Sequence, residues 1–200
     1  MFEGGGEHRL NIIHLNIHSL QAKLDDLYLL LQKAKQQDCE LDVILLCETF
    51  LNDNNVGLCS IPGYKLIDMH QHNSARGGAC IFIDNKLSFS DRTDLSIFHE
   101  GKFESCFVEL NSNATNSKNI LIGEIYRVPG TSETDFLTEY GNLINKLISE
   151  NKEIILGMDQ YLDYLKINSH RNTTEFLELN LSNNLIPTII RPTRITLRQR

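Results

Sequence analysis

The chain lacks the features that would take it out of the cell or into a bilayer. Its five cysteines (Cys39, Cys47, Cys59, Cys80, Cys106) are an odd set without a C-x-x-C spacing. Several sit inside apolar runs, as small buried hydrophobes do, so they read as free thiols in a reducing compartment. Met1 to Gly6 has no apolar core of the secretory kind, and no apolar stretch reaches the roughly 18 residues of a membrane span. An intracellular protein, nuclear or cytoplasmic and without a membrane partner, is the expectation, and the sequons at Asn113, Asn172 and Asn180 are then chance matches. Positive charge is scarce as well: 19 Lys and Arg against 26 Asp and Glu leave a net charge of −7. A protein that coats nucleic acid would carry the opposite sign, so any DNA contact has to come from a local patch. Arg191, Arg194, Arg198 and Arg200 are one such cluster, although four basic residues near a terminus also make an ordinary solvated end. Repeats of solenoid period and low-complexity linkers are absent.

What is present suits one α/β domain: 200 residues, 41% apolar and 22% charged. Residues 10–17 alternate apolar and polar side chains like a strand, Ser19 is placed to cap a helix, and residues 20–35 put Leu20, Leu24, Leu27, Leu30 and Leu31 on one face. Residues 41–47 are a continuous apolar run, as in a strand covered on both faces. Together these predict a βαβ unit. Shorter strands follow near 64–68, 78–83, 105–110 and 120–126. Helical spacing returns over 131–149, a buried strand over 153–157, and a short helix near 173–181 leads to an apolar stretch ending at Ile190.

In such folds reactive groups collect where strands end. Asn16 closes the first apolar run, Glu48 the second, Tyr126 and Arg127 a later one, and Asp159 ends Ile154-Ile155-Leu156-Gly157-Met158-Asp159. Oxygen donors of this kind suit a hard cation such as Mg²⁺, which keeps several waters and takes few protein ligands. Beside a phosphodiester, Asn16 and Glu48 supply the metal side, Asp159 orients or deprotonates water, and Tyr126 and Arg127 donate to non-bridging oxygens. Each has a plainer use: Asn16 as a cap, Glu48 as a turn residue, Tyr126 as a rim phenol, Gly157 as a tight-turn residue. His14, His18, His70, His72, His99 and His170 show no metal-ligand spacing, so strand-end or surface packing is their default.

Leu15-Asn16-Ile17-His18-Ser19-Leu20, Leu46-Cys47-Glu48-Thr49-Phe50, Arg76-Gly77-Gly78-Ala79, Ile125-Tyr126-Arg127-Val128-Pro129, Gly157-Met158-Asp159 and Arg191-Pro192-Thr193-Arg194-Ile195-Thr196 resemble the endonuclease/exonuclease/phosphatase superfamily. Within it they resemble most the apurinic-type endonuclease domain of non-LTR (LINE-type) retrotransposons. The resemblance implies an α/β fold, a four-layer α/β sandwich of two packed mixed β-sheets flanked by helices, over residues 9–196, after a flexible leader (1–8) and before a non-family tail (197–200). It implies a hydrolase that uses Mg²⁺, or Mn²⁺ in its place, to nick one DNA strand and leave a 3′ hydroxyl, with a reverse transcriptase domain as partner in the full polyprotein. No small-molecule cofactor is implied. Asn16 and Glu48 would be the metal residues, Asp159, Tyr126 and Asn16 the catalytic set, and Arg127 and Tyr161 would face substrate. Gly77 and Gly78 would serve backbone geometry. Two departures mark this copy. Tyr161 stands where the family has Asn, and after Thr196 the chain reads Leu197-Arg198-Gln199-Arg200 instead of continuing to the family's Ser-Asp-His segment. The expectation is therefore a C-terminally truncated copy with an incomplete second half and little or no nicking activity. A phosphatase of the same superfamily and a non-catalytic DNA- or protein-binding remnant are the alternatives.

Overall fold

The computed structural model describes residues 9–69, 77–99, 102–112 and 118–189. The expected leader, Arg76, Ile190, the 191–196 segment and the tail lie outside the described residues. Strand β1 (Ile12–Asn16) runs parallel to β2 (Val43–Cys47), joined by helix α1 (Leu20–Gln36), which is the βαβ unit the spacing predicts. The Ser19 hydroxyl accepts from the Ala22 N–H at 3.4 Å and so satisfies one open donor of the first helical turn. β2 pairs antiparallel with β4 (Ala79–Asp84), and β4 with β3 (Tyr64–Met69), giving a sheet ordered β1-β2-β4-β3.

The second sheet is ordered β5 (Phe89–Asp91), β7 (Phe103–Leu110), β8 (Ile120–Arg127), β9 (Glu153–Asp159), with β6 (Ile97–His99) also on β7. β5 and β6 escaped the sequence reading because three residues are too few to show alternation. Helix α2 (Glu133–Ser149) crosses over between the parallel strands β8 and β9, and α3 (Arg171–Ser182) packs against it.

Alternation along the strands explains the four layers. In β2, Ile44 and Leu46 pack under α1 with Leu20 and Leu27, while Val43 and Leu45 face the second sheet. Both faces are thus apolar, hence the unbroken run. In β7, Phe103 and Phe107 pack with Phe136, Tyr140 and Phe176 of the helices, while Cys106 and Val108 meet the first sheet. The observed order of layers is α1, first sheet, second sheet, α2 with α3, as expected of the sandwich.

The face between the sheets changes character along its length. At one end it is apolar, with Ile12, Leu45, Ile122 and Ile155. Moving two residues along each strand brings His14 on β1, Glu124 on β8 and Gly157 on β9, and two more bring Asn16, Tyr126 and Asp159. Gly157 lies inside β9 and not in a turn, which corrects the sequence expectation. Its job is clearance, since a Cβ there would stand 2.5 Å from Glu124 Oε2 and 2.8 Å from Leu45 Cδ1.

Candidate active site

Asn16, Glu48 and Asp159 come together on one rim, although the chain separates the first from the last by 143 residues. β1 and β2 end side by side, with Asn16 in register with Cys47, and β9 ends opposite them from the other sheet. The Asn16 side-chain amide donates to Asp159 Oδ2 at 2.9 Å. Glu48 is gripped from two sides: the His18 Nδ1 lies 2.8 Å from its Oε2, and the Tyr161 hydroxyl donates to its Oε1 at 2.6 Å. Burial pushes the Glu48 carboxyl up, but the hydrogen bonds from His18, Tyr161 and Asn16 outweigh it and hold the group below its ordinary range. It is an anion at neutral pH.

The backbone at this rim is unusual. His18, Ser19, Glu48, Phe50 and Tyr161 all have φ between 47 and 86°, the left-handed region that side chains with a Cβ seldom adopt. Strain of this kind persists where surrounding structure enforces it, and it gathers at functional sites. The enforcement is visible. The Ser19 and Leu20 N–H groups donate to the Glu48 and Thr49 carbonyls, and the Phe50 N–H donates to the Gly77 carbonyl. Gly78, at φ 101°, lies so close to Thr49 that a Cβ would come within 2.1 Å of the Thr49 hydroxyl.

Tyr126 is 3% exposed and faces the same space, with the Tyr161 ring edge-on at 6.4 Å. Burial, helped by Glu48 and Asp159, raises its phenol, so it stays protonated as a donor. Arg127 points elsewhere. Its Nε donates to the Gln160 carbonyl at 2.6 Å and its terminal nitrogens to the Thr131 and Tyr161 carbonyls at 3.0 and 3.1 Å. The expected substrate contact is therefore, in this structure, a clamp that fixes the loop after β9. Tyr161 was likewise expected to face substrate, and its hydroxyl is directed at Glu48 instead.

The sequence reading missed His18 as a partner of Glu48, and it passed over a buried layer one step below the rim. There His14 Nε2 and Glu124 Oε1 are 3.0 Å apart, and the Cys47 Sγ lies 3.8 Å from Asp159 Oδ2. The signal was present: Glu124 stands in the middle of an apolar strand, and a charged residue there has to meet a partner. As a test of metal fit, the rim offers a carboxylate, a second carboxylate and an amide oxygen, the donor chemistry of a hard divalent cation. The Tyr161 hydrogen bond occupies one lone pair of Glu48 and leaves the carboxylate able to bind through another.

No protein-family model and no curated protein sequence matches the chain. Solved structures do. The endonuclease domain of TRAS1, a telomere-specific non-LTR retrotransposon, is 14% identical, with a TM-score of 0.62 over 93% of this chain and 80% of that one. D. rerio TDP2 in humanized form is 16% identical, with a TM-score of 0.56 over 80% of this chain and 65% of its own. An endonuclease/exonuclease/phosphatase family protein from Bacteroides thetaiotaomicron is 15% identical, with a TM-score of 0.56 over 84% and 68%. The chain has the endonuclease/exonuclease/phosphatase fold, and a retrotransposon endonuclease domain is among its structural neighbours, as the sequence resemblance implied. No helix among the described residues is long and apolar enough to cross a membrane.

Proposed function

We propose that the chain is a divalent-metal-dependent DNA phosphodiesterase of the retrotransposon endonuclease type, cutting one strand to leave a 3′ hydroxyl, with its turnover held low by Tyr161. The observation that carries the reading is the convergence of Asn16, Glu48 and Asp159 from three strand ends in two sheets, closed by the 2.9 Å Asn16–Asp159 hydrogen bond. The TRAS1 endonuclease domain and a D. rerio TDP2 complexed with single-strand DNA product share the fold, which supports a nucleic-acid substrate. An intracellular setting, nucleus or cytoplasm, goes with five free thiols, and a reverse transcriptase domain is the natural companion in a longer product.

Asn16 and Glu48 would hold the cation, Mg²⁺ or Mn²⁺, which when bound supplies positive charge against a phosphoryl oxygen. Asp159, fixed by the Asn16 amide, orients a water and accepts its proton. Tyr126, kept protonated, donates to a non-bridging oxygen as negative charge grows there. Tyr161 works against this set. Its hydroxyl occupies Glu48 Oε1 and its ring stands edge-on to Tyr126 at 6.4 Å.

The test is conversion of supercoiled plasmid to nicked circle by the purified chain, with Mg²⁺ or EDTA, beside Glu48→Ala and Tyr161→Asn. Weak Mg²⁺-dependent nicking is expected, lost in Glu48→Ala and raised at least ~10-fold in Tyr161→Asn, a gain of about 1.4 kcal/mol in transition-state stabilisation. Nicking that ignores both EDTA and Glu48→Ala would overturn the assignment. Faster phosphate release from an inositol or lipid monoester than from DNA would move it to a phosphatase of the same fold.

A further inference from the structure

The layer one step below the rim is built differently from the rim itself. A ring nitrogen of His14 on β1, Cys47 Sγ on β2 and a carboxylate oxygen of Glu124 on β8 all lie within 4.8 Å of one another. They span both sheets. Zn²⁺ bound at about 2.0–2.3 Å to nitrogen, sulfur and oxygen in a tetrahedron sets its donors roughly 3.3–3.8 Å apart, so a small adjustment of side chains brings these three into range. Two further oxygens lie near the Cys47 sulfur, Asp159 Oδ2 at 3.8 Å and the Leu15 carbonyl at 3.9 Å.

A second, independent feature points to a ligand. The Glu124 side chain is 0% exposed; its Oε1 meets His14 at 3.0 Å, but its Oε2 has no hydrogen-bond partner among the described residues. A buried carboxylate oxygen left unpaired is costly, and native proteins rarely keep one without a reason. The surrounding chain leaves that oxygen its space, since a Cβ on Gly157 would lie 2.5 Å from it and 2.8 Å from His14 Cδ2.

We propose that His14, Cys47 and Glu124 form a buried site for a borderline transition-metal cation of the Zn²⁺ class, distinct from the hard-cation rim. Donor softness separates the two sites: thiolate and imidazole select zinc-like ions, whereas the rim's amide and carboxylate oxygens suit Mg²⁺. Binding is a ligand exchange without redox change. The ion forms its bond to sulfur as the Cys47 thiol releases its proton to solvent, and the proton shared between His14 and Glu124 leaves as nitrogen and oxygen take up the ion. A cation there would tie β1 and β2 to β8 across the sheet interface. This site goes beyond the proposed nuclease reading and stands whether or not the chain cuts DNA.

The experiment titrates the purified, metal-free 200-residue chain with Co²⁺, read by the near-ultraviolet thiolate-to-cobalt charge-transfer band, and then measures Zn²⁺ content and thermal midpoint. One equivalent is expected, with a band that survives Glu48→Ala and Cys39→Ser and disappears in Cys47→Ser. Glu124→Gln, nearly isosteric, should weaken Co²⁺ binding at least ~10-fold and abolish the rise in Tm that Zn²⁺ gives the wild type. It decides the matter if Cys47→Ser does not fold. A folded wild type that shows no band, a band that persists in Cys47→Ser, or binding and a Zn²⁺-induced Tm rise unchanged in Glu124→Gln would overturn the proposal. Loss of plasmid nicking alone bears on the rim and leaves this readout untouched.

Discussion

Two carboxylates near the rim show how burial and partners pull in opposite directions. Glu48 has His18 and Tyr161 on its two oxygens and remains an anion. Glu104, 3% exposed on β7, accepts a hydrogen bond from the Gly78 N–H, yet burial dominates and raises its carboxyl to about 7 from 4.5. In the unfolded chain Glu104 loses its proton near 4.5, whereas the folded chain keeps it until about 7. The native state therefore binds the extra proton in that interval, and stability falls as pH rises through it, by roughly 3 kcal/mol, then levels off. Thermal melts across this range should show the decline in the wild type and a markedly flatter profile in Glu104→Gln, which keeps an acceptor for Gly78 but carries no charge. Equal slopes for the two proteins would show that Glu104 is not the group responsible.

At the scale of elements, α2 and α3 are joined by a polar bond inside an aromatic stack, in addition to the Asn172 amide donating to Glu133 Oε2 at 2.8 Å. The Tyr140 hydroxyl donates to Asn180 Oδ1 at 2.6 Å, the Asn180 amide donates to the Phe176 carbonyl at 2.7 Å, and the Tyr140 and Phe176 rings lie 5.0 Å apart. Tyr140→Phe keeps the ring and removes the donor, leaving a buried amide oxygen unpaired. Urea unfolding should lose about 1–3 kcal/mol at unchanged slope. Elements of this size were legible in the sequence: the apolar stripe of α2 through Phe136, Tyr140, Leu143, Ile144 and Leu147 is the buried stripe observed. So were the strand-end positions of Asn16, Glu48 and Asp159, because an apolar run that stops at a polar residue locates a sheet edge. The partners were not legible. That Tyr161 reaches Glu48 depends on a left-handed backbone at both residues, and that His14 meets Glu124 depends on the packing of two sheets across 110 positions. The hydrogen bonds of Arg127 were hidden for the same reason, since nothing local says that a strand-end guanidinium will turn back to three carbonyls of neighbouring loops.

For the molecule as a whole, the net charge of −7 limits how it could meet the DNA substrate proposed above. With Arg127 turned inward, metal-free binding to duplex DNA should rest on few phosphate contacts, and a plot of log affinity against log salt should have a slope no steeper than about −3. A slope near −6 or beyond would reveal a cationic surface that this reading lacks. The order of strands carries a further consequence, for the time at which the rim comes into being. Asn16 and Glu48 are in place once the first βαβ unit has formed, but Asp159 arrives only when β9 has added beside β8, after α2 has crossed over. Pairings this distant along the chain are slow to form, because loop closure has to precede the contacts that reward it. A nascent chain emerging from the ribosome thus carries half a rim until β9 has been made and has joined β8. Whatever chemistry the complete rim supports has to wait until the second sheet has closed.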